Sequence, residues 1–246
     1  MPNPSLPQNH EFLSPSICEE FLDRYVIRSG ILSALKEALP RLSGNLLDVG
    51  AGRQPYRSVL TSPSSKVCKY YPLDIAGSPT YPESEFTWDG ITMPFGDQLF
   101  DCAIATEVLE HCPQPELTLR EIHRVLKPGG VFFFTVPFVW PLHDCPYDEY
   151  RYTPFSLKRH LVTSGFVDVQ LRPTGGWDAT LAQVLGLWLR RRPMNPTYRR
   201  ILSKLFLPAY KWLLRRDLPP RSFDNEGYLM PGISGTALKP PPPGTH

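Results

Sequence analysis

The sequence has few cysteines and no paired cysteine motif. Five cysteines are scattered along 246 residues, and none belongs to a C-x-x-C pair. An odd number of dispersed thiols supports neither a disulfide framework nor a structural zinc site. We therefore expect a protein of a reducing compartment that holds no metal.

Long apolar runs are also missing. No stretch of about 18 uncharged apolar residues occurs, the length that a membrane-spanning helix requires. The opening segment, MPNPSLPQNHEF, lacks the basic start and apolar run of a signal peptide. These absences predict a soluble, cytoplasmic protein.

The chain carries little excess charge, because 26 basic residues nearly balance 24 acidic ones. The basic residues are unevenly placed, however. Residues 190–221 hold ten of them against one acid, Asp217, while the rest of the chain has 16 basic and 23 acidic residues. A mildly acidic body with one basic segment argues against a nucleic-acid-binding protein, which would need a broad positive surface.

Composition predicts one folded domain between two tails. With 41% hydrophobic residues, a chain of this length can bury one sizeable core. Prolines, 29 in total, are frequent at both termini. We predict a single domain over residues 15–239, with disordered tails at residues 1–14 and 240–246.

Apolar and amphipathic segments alternate along most of the chain. Helices are predicted over residues 14–39, 115–126 and 153–166. Strands are predicted from NLLDVG, VCKYYPLD, EFTWD, FDCAIATE, VFFFTVPF and VDVQLRP. Nearly continuous apolar strands in this alternation are typical of a parallel sheet covered on both faces. The predicted fold is therefore doubly wound α/β.

The last third of the chain departs from this alternation. Residues 177–216 predict two basic helices, inserted before a final strand from ISGTALK. Apolar residues at helical spacing more often cover a core or a subunit interface. Basic helices that also carry Trp and Tyr can instead lie on an anionic lipid surface. Peripheral membrane contact through residues 185–216 is thus a second interpretation, and the oligomeric state stays open.

A glycine turn and three acids mark the strand ends where ligands bind in such sheets. Gly50 and Gly52 follow Asp48 at the end of the first strand, and Asp74 and Asp89 close the next two. Glycines let the backbone approach a ligand, and an acid after the second strand can accept hydrogen bonds from ribose hydroxyls. Each feature also has a simpler explanation, a tight turn without a ligand.

The order of these motifs resembles the class I S-adenosylmethionine-dependent methyltransferases. The resemblance is carried by LLDVGAG, by LD at Asp74, by WDGITMPFGDQLFDCAIATEVLEHC and by LREIHRVLKPGGVFFFTVP, over about residues 20–172. A nearer resemblance, to methyltransferase-domain proteins found with bacterial cell-surface polysaccharide genes, rests on HDCPYDEYRYT and the Pro-Tyr after the glycine turn.

The resemblance implies a fold, a cofactor and a binding site. The fold would be a mostly parallel, seven-stranded Rossmann-like sheet, and the activity methyl transfer from S-adenosylmethionine to oxygen or nitrogen of a small molecule, such as a sugar or lipid-linked saccharide. The implied cofactor-binding residues are Asp48, Gly50, Ala51, Gly52, Asp74, Ile75, Asp89, Gly90 and Glu107. Gln54 departs from the family pattern, which usually has a third glycine in this loop.

Two other interpretations remain at this point. A nicotinamide dehydrogenase would also use a Gly-x-Gly turn and a ribose acid, but Pro55 stands where its third glycine should fall. The unusual Gln54 also keeps open a catalytically silent methyltransferase-like module that binds a partner or a membrane through the basic helices.

Residues after the fourth and fifth strands are the candidates for handling the methyl acceptor. His143 is the preferred general base, His111 is a second candidate, and Arg151 can hold an anionic group. The alternatives are a loop histidine packed on aromatic rings, a structural His111, and an Arg151 paired with Asp148 or Glu149. A metal site from His143, Asp144 and Asp148 is not predicted, because nothing in the sequence sets a coordination geometry.

Overall fold

The computed structural model describes residues 10–77, 81, 83–224 and 226–242. Its strands are β1 (Ser43–Val49), β2 (Lys66–Ile75), β3 (Phe86–Trp88), β4 (Phe100–Thr106), β5 (Leu126–Pro137), β6 (Val167–Pro173) and β7 (Gly232–Leu238). Its helices are α1 (His10–Leu13), α2 (Tyr25–Ala38), α3 (Arg57–Leu60), α4 (Pro115–Val125), α5 (Pro154–Thr163), α6 (Trp177–Arg191) and α7 (Pro196–Arg216), with 3₁₀ turns at Leu39–Arg41 and Leu109–His111.

The strands form one mostly parallel sheet of seven, in the order β3-β2-β1-β4-β5-β7-β6. β1 pairs in parallel with β2 on one side and β4 on the other, so strand order reverses direction there. β7 is antiparallel to both of its neighbours, β5 and β6. The prediction of a doubly wound α/β fold is confirmed, and the reversal beside β1 places the ligand-binding edge at the glycine turn.

The central strands are buried on both faces, as their apolar composition predicts. In β5, Phe132 and Phe134 pack with residues of α4 and α5, such as Ile122 and Leu161. The alternate residue, Phe133, packs on the opposite face with residues of α2, such as Leu35. Because successive side chains point to opposite faces of the sheet, β5 contributes to two separate apolar layers.

A third apolar cluster joins α6 and α7 to the chain that precedes α2. The Tyr210 hydroxyl donates a hydrogen bond to the carbonyl of Leu22 at 2.9 Å. The side-chain amide of Gln183 donates to the carbonyl of Asp23 at 2.9 Å, and Arg191 pairs with the Asp23 carboxylate at 2.6 Å. α6 is therefore attached to Asp23 by a hydrogen bond and an ion pair, and α7 is attached to the adjacent Leu22 by a hydrogen bond.

These bonds explain where the predicted first helix is wrong. Residues 14–39 were expected to be one helix, yet α2 begins only at Tyr25, and residues 18–24 form turns. The carbonyls of Leu22 and Asp23 instead accept from side chains of α7 and α6. Tertiary contacts here override a helical apolar pattern.

The predicted tails are also corrected in part. Residues 10–13 of the expected tail form α1, and the Phe12 ring meets Tyr56 edge to face at 6.0 Å. At the other end, residues 240–242 have no regular structure. The remaining tail residues, 1–9 and 243–246, lie outside the described residues. No helix within the described part of the chain is long and apolar enough to cross a membrane.

Gly186 tests the contact between α6 and the segment before α2. A Cβ added to Gly186 would lie 2.0 Å from the Leu22 carbonyl oxygen, whereas one on exposed Gly96 would meet no atom within 4 Å. We expect Gly186→Ala to lower the free energy of unfolding by about 1–3 kcal/mol, because backbone must move. Denaturant unfolding measures this, with Gly96→Ala as the control. Equal stability of the two variants would contradict this packing.

Candidate active site at the carboxyl edge of the sheet

The turn after β1 has three residues in the left-handed conformation. Gly50, Gly52 and Gln54 have φ angles of 67°, 51° and 53°. A Cβ on Gly50 would lie 2.5 Å from a methyl carbon of Val108, so this position has no room for a side chain. Gln54 adopts the conformation that a glycine adopts most easily. The unusual residue therefore takes a backbone conformation that a glycine could take at the same place.

Asp74 ties this turn to the end of β2. One oxygen of its carboxylate accepts from the Gly52 amide at 2.7 Å, and the other accepts from the Ile75 amide at 2.7 Å. The Gly50 and Ala51 amides donate to the Leu73 carbonyl at 2.8 and 3.1 Å. The acid predicted to hold a ribose thus lies directly against the glycine turn.

Ile75, Asp89 and Gly90 lie together beyond Asp74. Ile75 pairs with Trp88 across the β2–β3 ladder, and its side chain is 45% exposed. A Cβ on Gly90 would lie 3.4 Å from the Ile75 side chain, so the glycine keeps the face of Ile75 open. The Asp89 carboxylate accepts from the amides of Thr92 and Ile91, and these bonds lower the pKa of Asp89. It is therefore an anion at the mouth of this region.

Asp48 lies deeper, within the sheet. Its side chain is buried and accepts a hydrogen bond from the Tyr70 hydroxyl on the neighbouring strand. Burial raises the pKa of Asp48 to about 7; the negative charge of Asp74 adds to this rise, and the Tyr70 hydrogen bond opposes it. Tyr70 was not predicted, because its partner lies on another strand.

Glu107 follows β4 with a φ of 56°; the residue is half-buried, and its Oε1 atom is buried. Its amide donates to the Thr135 carbonyl of β5 at 3.0 Å, which fixes the unusual backbone. Burial raises the pKa of Glu107 to about 7, and the positive charges of Arg28 and Arg151 oppose this rise. Arg28 on α2 is thus a site residue that the sequence analysis did not find.

The two predicted catalytic histidines are brought together. The rings of His111 and His143 are 4.7 Å apart, edge to face. His111 Nδ1 lies 3.1 Å from the Tyr147 carbonyl, and His143 Nδ1 lies 3.1 Å from Asp148 Oδ2. Burial, and then the charge of His111, lower the pKa of His143, which favours its neutral form. The preceding residue, Glu110, was not singled out as a site residue, although it lies in the same EVLEH motif.

Arg151 is corrected from a ligand-binding residue to a structural one. Its guanidinium makes a two-pronged pair with Asp148 at 2.6 and 2.7 Å. It also donates to the carbonyls of Tyr150 and Trp140 at 2.8 and 3.2 Å. The Arg151 hydrogen bonds lower the pKa of Asp148 to about 2. Since its donors face Asp148 and backbone carbonyls, Arg151 holds the loop that carries His143.

The described residues fit S-adenosylmethionine. Glycines line the path from the β1 turn to Gly90, and at Gly50 there is no room for a side chain. Asp74 lies beside them, where its carboxylate can accept hydrogen bonds from ribose hydroxyls. Half-buried Glu107 has a buried carboxylate oxygen without a hydrogen-bond partner, as a group facing a cationic ligand would. The donor set is therefore suited to a nucleoside with a positive charge.

Comparison with known proteins identifies the family. A profile of the methyltransferase domain matches residues 19–171. A sarcosine/dimethylglycine N-methyltransferase from Halorhodospira halochloris is 38% identical over 140 residues, which are 56% of this chain and 42% of that protein. A ubiquinone/menaquinone biosynthesis C-methyltransferase from Klebsiella pneumoniae is 40% identical over 63 residues, 24% of this chain and 25% of that protein. These matches span less than half of either relative.

Solved structures show the same fold. An S-adenosylmethionine-dependent methyltransferase from Thermotoga maritima superposes with a TM-score of 0.53 at 15% identity, over 89% of this chain and 91% of that one. Phosphoethanolamine N-methyltransferase 2 of Haemonchus contortus, in complex with S-adenosylmethionine, gives a TM-score of 0.52 at 13% identity, over 96% and 61%. The fold and its glycine turn define a class I methyltransferase. The chain belongs to the methyltransferase domain family.

The buried Asp48 carboxyl makes stability depend on pH. The unfolded chain loses the Asp48 proton near pH 3.8, whereas the folded chain keeps it until about pH 7. Stability from this proton is therefore present at low pH and is lost as pH rises through the pKa of the folded state. We expect Asp48→Asn to flatten the fall in melting temperature between about pH 4 and pH 7. Thermal unfolding across pH measures this.

The matched control is Asp224→Asn, at an exposed position. It should show the wild-type slope of melting temperature against pH. If Asp48→Asn also kept that slope, Asp48 would not be the buried, protonated group that its surroundings indicate.

Proposed function

We propose that the chain binds S-adenosylmethionine and catalyses methyl transfer to an oxygen or nitrogen of a small molecule. The observation that carries the proposal is the Asp74 carboxylate held against the Gly52 amide at the strand-order reversal. When bound, S-adenosylmethionine supplies an electrophilic methyl carbon: the acceptor lone pair forms the new bond, the carbon–sulfur electrons stay on sulfur, and the acceptor proton leaves to a base.

The residues along the sheet edge divide the work of binding. Asp74 would accept from ribose hydroxyls, and Ile75 with Gly90 would offer an apolar face to the adenine ring. Asp89 would accept from the exocyclic amine, since its carboxylate is anionic and at the surface. Asp48 and Glu107 lie nearer the centre of the sheet edge, where negative charge favours the amino and sulfonium groups.

Exclusion of water is the second contribution of these residues. Tyr56 is buried and Glu107 is half-buried, and neither Glu107 Oε1 nor the Tyr56 hydroxyl has a hydrogen-bond partner in the described residues. Arg28 lies close enough to influence the pKa of both groups. A ligand that supplies polar partners here would be enclosed by α2, and the reacting atoms would be aligned away from solvent.

Calorimetry tests cofactor binding. We expect S-adenosylmethionine and S-adenosylhomocysteine to bind the wild-type chain, and Asp74→Ala to weaken both by at least about tenfold, because a charged acceptor for the ribose hydroxyls is lost. Asp224→Ala, at an exposed position, is the matched control. Thermal unfolding verifies that each variant is folded. Failure of the folded wild-type chain to bind either compound would refute the proposal.

The residues expected to contact the methyl acceptor favour a polar substrate. His111, His143 and the exposed Tyr147 line the loop edge beyond β4 and β5, and Asp148 holds His143 so that its Nε2 is the nitrogen left for an external group. A hydroxylated acceptor, such as a sugar or lipid-linked saccharide, suits these hydrogen-bonding groups. The related proteins act, by their names, on sarcosine, quinone and sterol substrates, so the class of small molecules is broad.

A second part of the proposal concerns a membrane surface. One face of α7 exposes an apolar stripe at helical spacing, formed by Tyr198, Ile201, Leu205 and Trp212. Four cations lie along one side of this stripe: Arg200, Lys204, Lys211 and Arg215. An apolar stripe bordered by cations matches the apolar interior and anionic headgroups of a lipid surface. The protein would then act in the cytoplasm, at the inner face of the membrane.

Vesicle binding tests the α7 surface. We expect the chain to sediment with vesicles that contain anionic lipid, and replacement of the four cations by Gln to weaken binding, since each contributes about 1 kcal/mol near such a surface. The matched control replaces four exposed cations elsewhere by Gln: Lys66, Arg120, Lys158 and Arg159. Equal loss in both variants would indicate net charge alone and contradict a specific surface.

Vesicle binding and methyl-transfer turnover, measured on the same variants, separate an enzyme from a silent module. A silent module predicts vesicle binding without turnover on any acceptor panel, in both wild-type chain and Asp74→Ala. An enzyme predicts turnover in the wild-type chain that Asp74→Ala reduces while vesicle binding stays unchanged.

A further inference from the structure

Three side chains able to bind a metal ion converge beyond the ends of β4 and β5. Glu110 and His111 lie in the 3₁₀ turn Leu109–His111, and His143 lies in the loop between β5 and α5. One donor atom of each residue lies within 4.8 Å of the donor atoms of the other two. The site combines one carboxylate and two imidazoles, and the sequence pattern did not predict Glu110 as a member.

Glu110 is the most unusual of the three. It is completely buried, and neither of its carboxylate oxygens has a hydrogen-bond partner in the described structure. The His111 ring lies beside it, with Nε2 3.8 Å from Oε1. Its backbone carbonyl accepts from the amides of Glu149 and Tyr150, so the residue is held in place. A buried, fixed carboxylate without partners costs free energy unless a cation or a proton satisfies it.

Both histidines are oriented as metal ligands are. Nδ1 of His111 is engaged by the Tyr147 carbonyl, and Nδ1 of His143 is engaged by the Asp148 carboxylate. An acceptor at Nδ1 holds the proton there, which leaves the lone pair of Nε2 available on each ring. Metal-binding histidines commonly donate their second N–H to a carbonyl or a carboxylate in this way. With the protons so placed, the Nε2 lone pairs of both histidines can serve as metal ligands beside the Glu110 carboxylate.

A second carboxyl group, that of Glu107, lies close to Glu110. Arg151, the nearby cation, is committed to Asp148 through two short hydrogen bonds. A divalent ion at the cluster would offset the Glu110 carboxylate.

We propose that Glu110, His111 and His143 bind a divalent transition-metal ion such as Zn²⁺. Two imidazoles and one carboxylate suit such ions, whereas Mg²⁺ and Ca²⁺ prefer oxygen ligands alone. Metal–ligand bonds of about 2.0–2.2 Å separate neighbouring ligands by roughly 3–3.5 Å. Because the present donor atoms are up to 4.8 Å apart, binding draws the His143 loop towards Glu110.

The ion gives the site a role in handling the acceptor, and this step rests on the proposed function. Three protein ligands leave positions open for an external oxygen. A hydroxyl group bound there would lose its proton to a water molecule more readily, because the ion would stabilise the alkoxide that forms. His143 then acts as a metal ligand in place of the predicted general base. Binding of the ion itself does not depend on methyl transfer.

Metal titration of the chelator-treated full chain tests the proposal. We expect Zn²⁺ to bind with one site per chain by calorimetry, and His143→Ala and Glu110→Gln each to weaken binding by at least about tenfold. His160→Ala is the matched control, since His160 pairs with the surface carboxylate of Glu116 at 2.8 Å without a third donor. Titration with Co²⁺ adds a second readout, visible absorption bands that His143→Ala abolishes and His160→Ala retains.

The outcomes separate this proposal from the proposed function. Absence of Zn²⁺ binding by the folded chain, or equal affinity in wild type and His143→Ala, would overturn the metal site even if S-adenosylmethionine binds. Metal binding that His143→Ala removes would support the site even if S-adenosylmethionine does not bind. Should Glu110→Gln fail to fold, His143→Ala carries the test, because His143 lies in a partly exposed loop.

Discussion

Two carboxyl groups, those of Asp48 and Glu110, are buried at the carboxyl edge of the sheet, and Glu107 beside them is half-buried. Taking a carboxylate out of water is costly, so each needs a hydrogen bond, a cation or a proton. Tyr70 supplies a hydrogen bond to Asp48, and Arg28 and Arg151 supply positive charge near Glu107. The site is in this sense incomplete without a cationic ligand. The geometry of its neighbours follows from this requirement.

The backbone of the glycine turn places a hydrogen-bond donor beside another carboxylate, that of Asp74. Left-handed residues at Gly50, Gly52 and Gln54 curl the chain so that the Gly52 amide points at Asp74. Gln54 shows that a departure from a motif in residue type need not be a departure in conformation. A non-glycine residue in this region is strained, and strain of this kind persists where surrounding structure over-determines it.

Much of the fold and of the cofactor-binding edge could be predicted because both depend on short segments. Strands buried on both faces have apolar runs, and acids at strand ends meet at one edge whatever the loops do. The partner of Arg151 could not be predicted, because Asp148 and Glu149 are adjacent in sequence and both carry a carboxylate. Only the folded structure shows that Asp148 is the partner. Tyr70 and Arg28 were missed because the carboxyl groups they act on belong to other parts of the sheet edge. Glu110 was missed because His143, which completes its cluster, lies in a distant loop. The first helix was placed too early because the carbonyls of Leu22 and Asp23 bond to residues far along the chain.

The close approach of Gly186 to Leu22 has a consequence for how such a chain can change in evolution. α6 and α7 lie late in the sequence, but their buried polar partners lie before α2. Deleting the two helices alone would leave the Leu22 and Asp23 carbonyls and an apolar surface without cover. The helical pair and the segment before α2 are therefore expected to be inherited as one unit: relatives that lack the pair should differ also in residues 17–24, although more than 150 residues of chain separate the two parts.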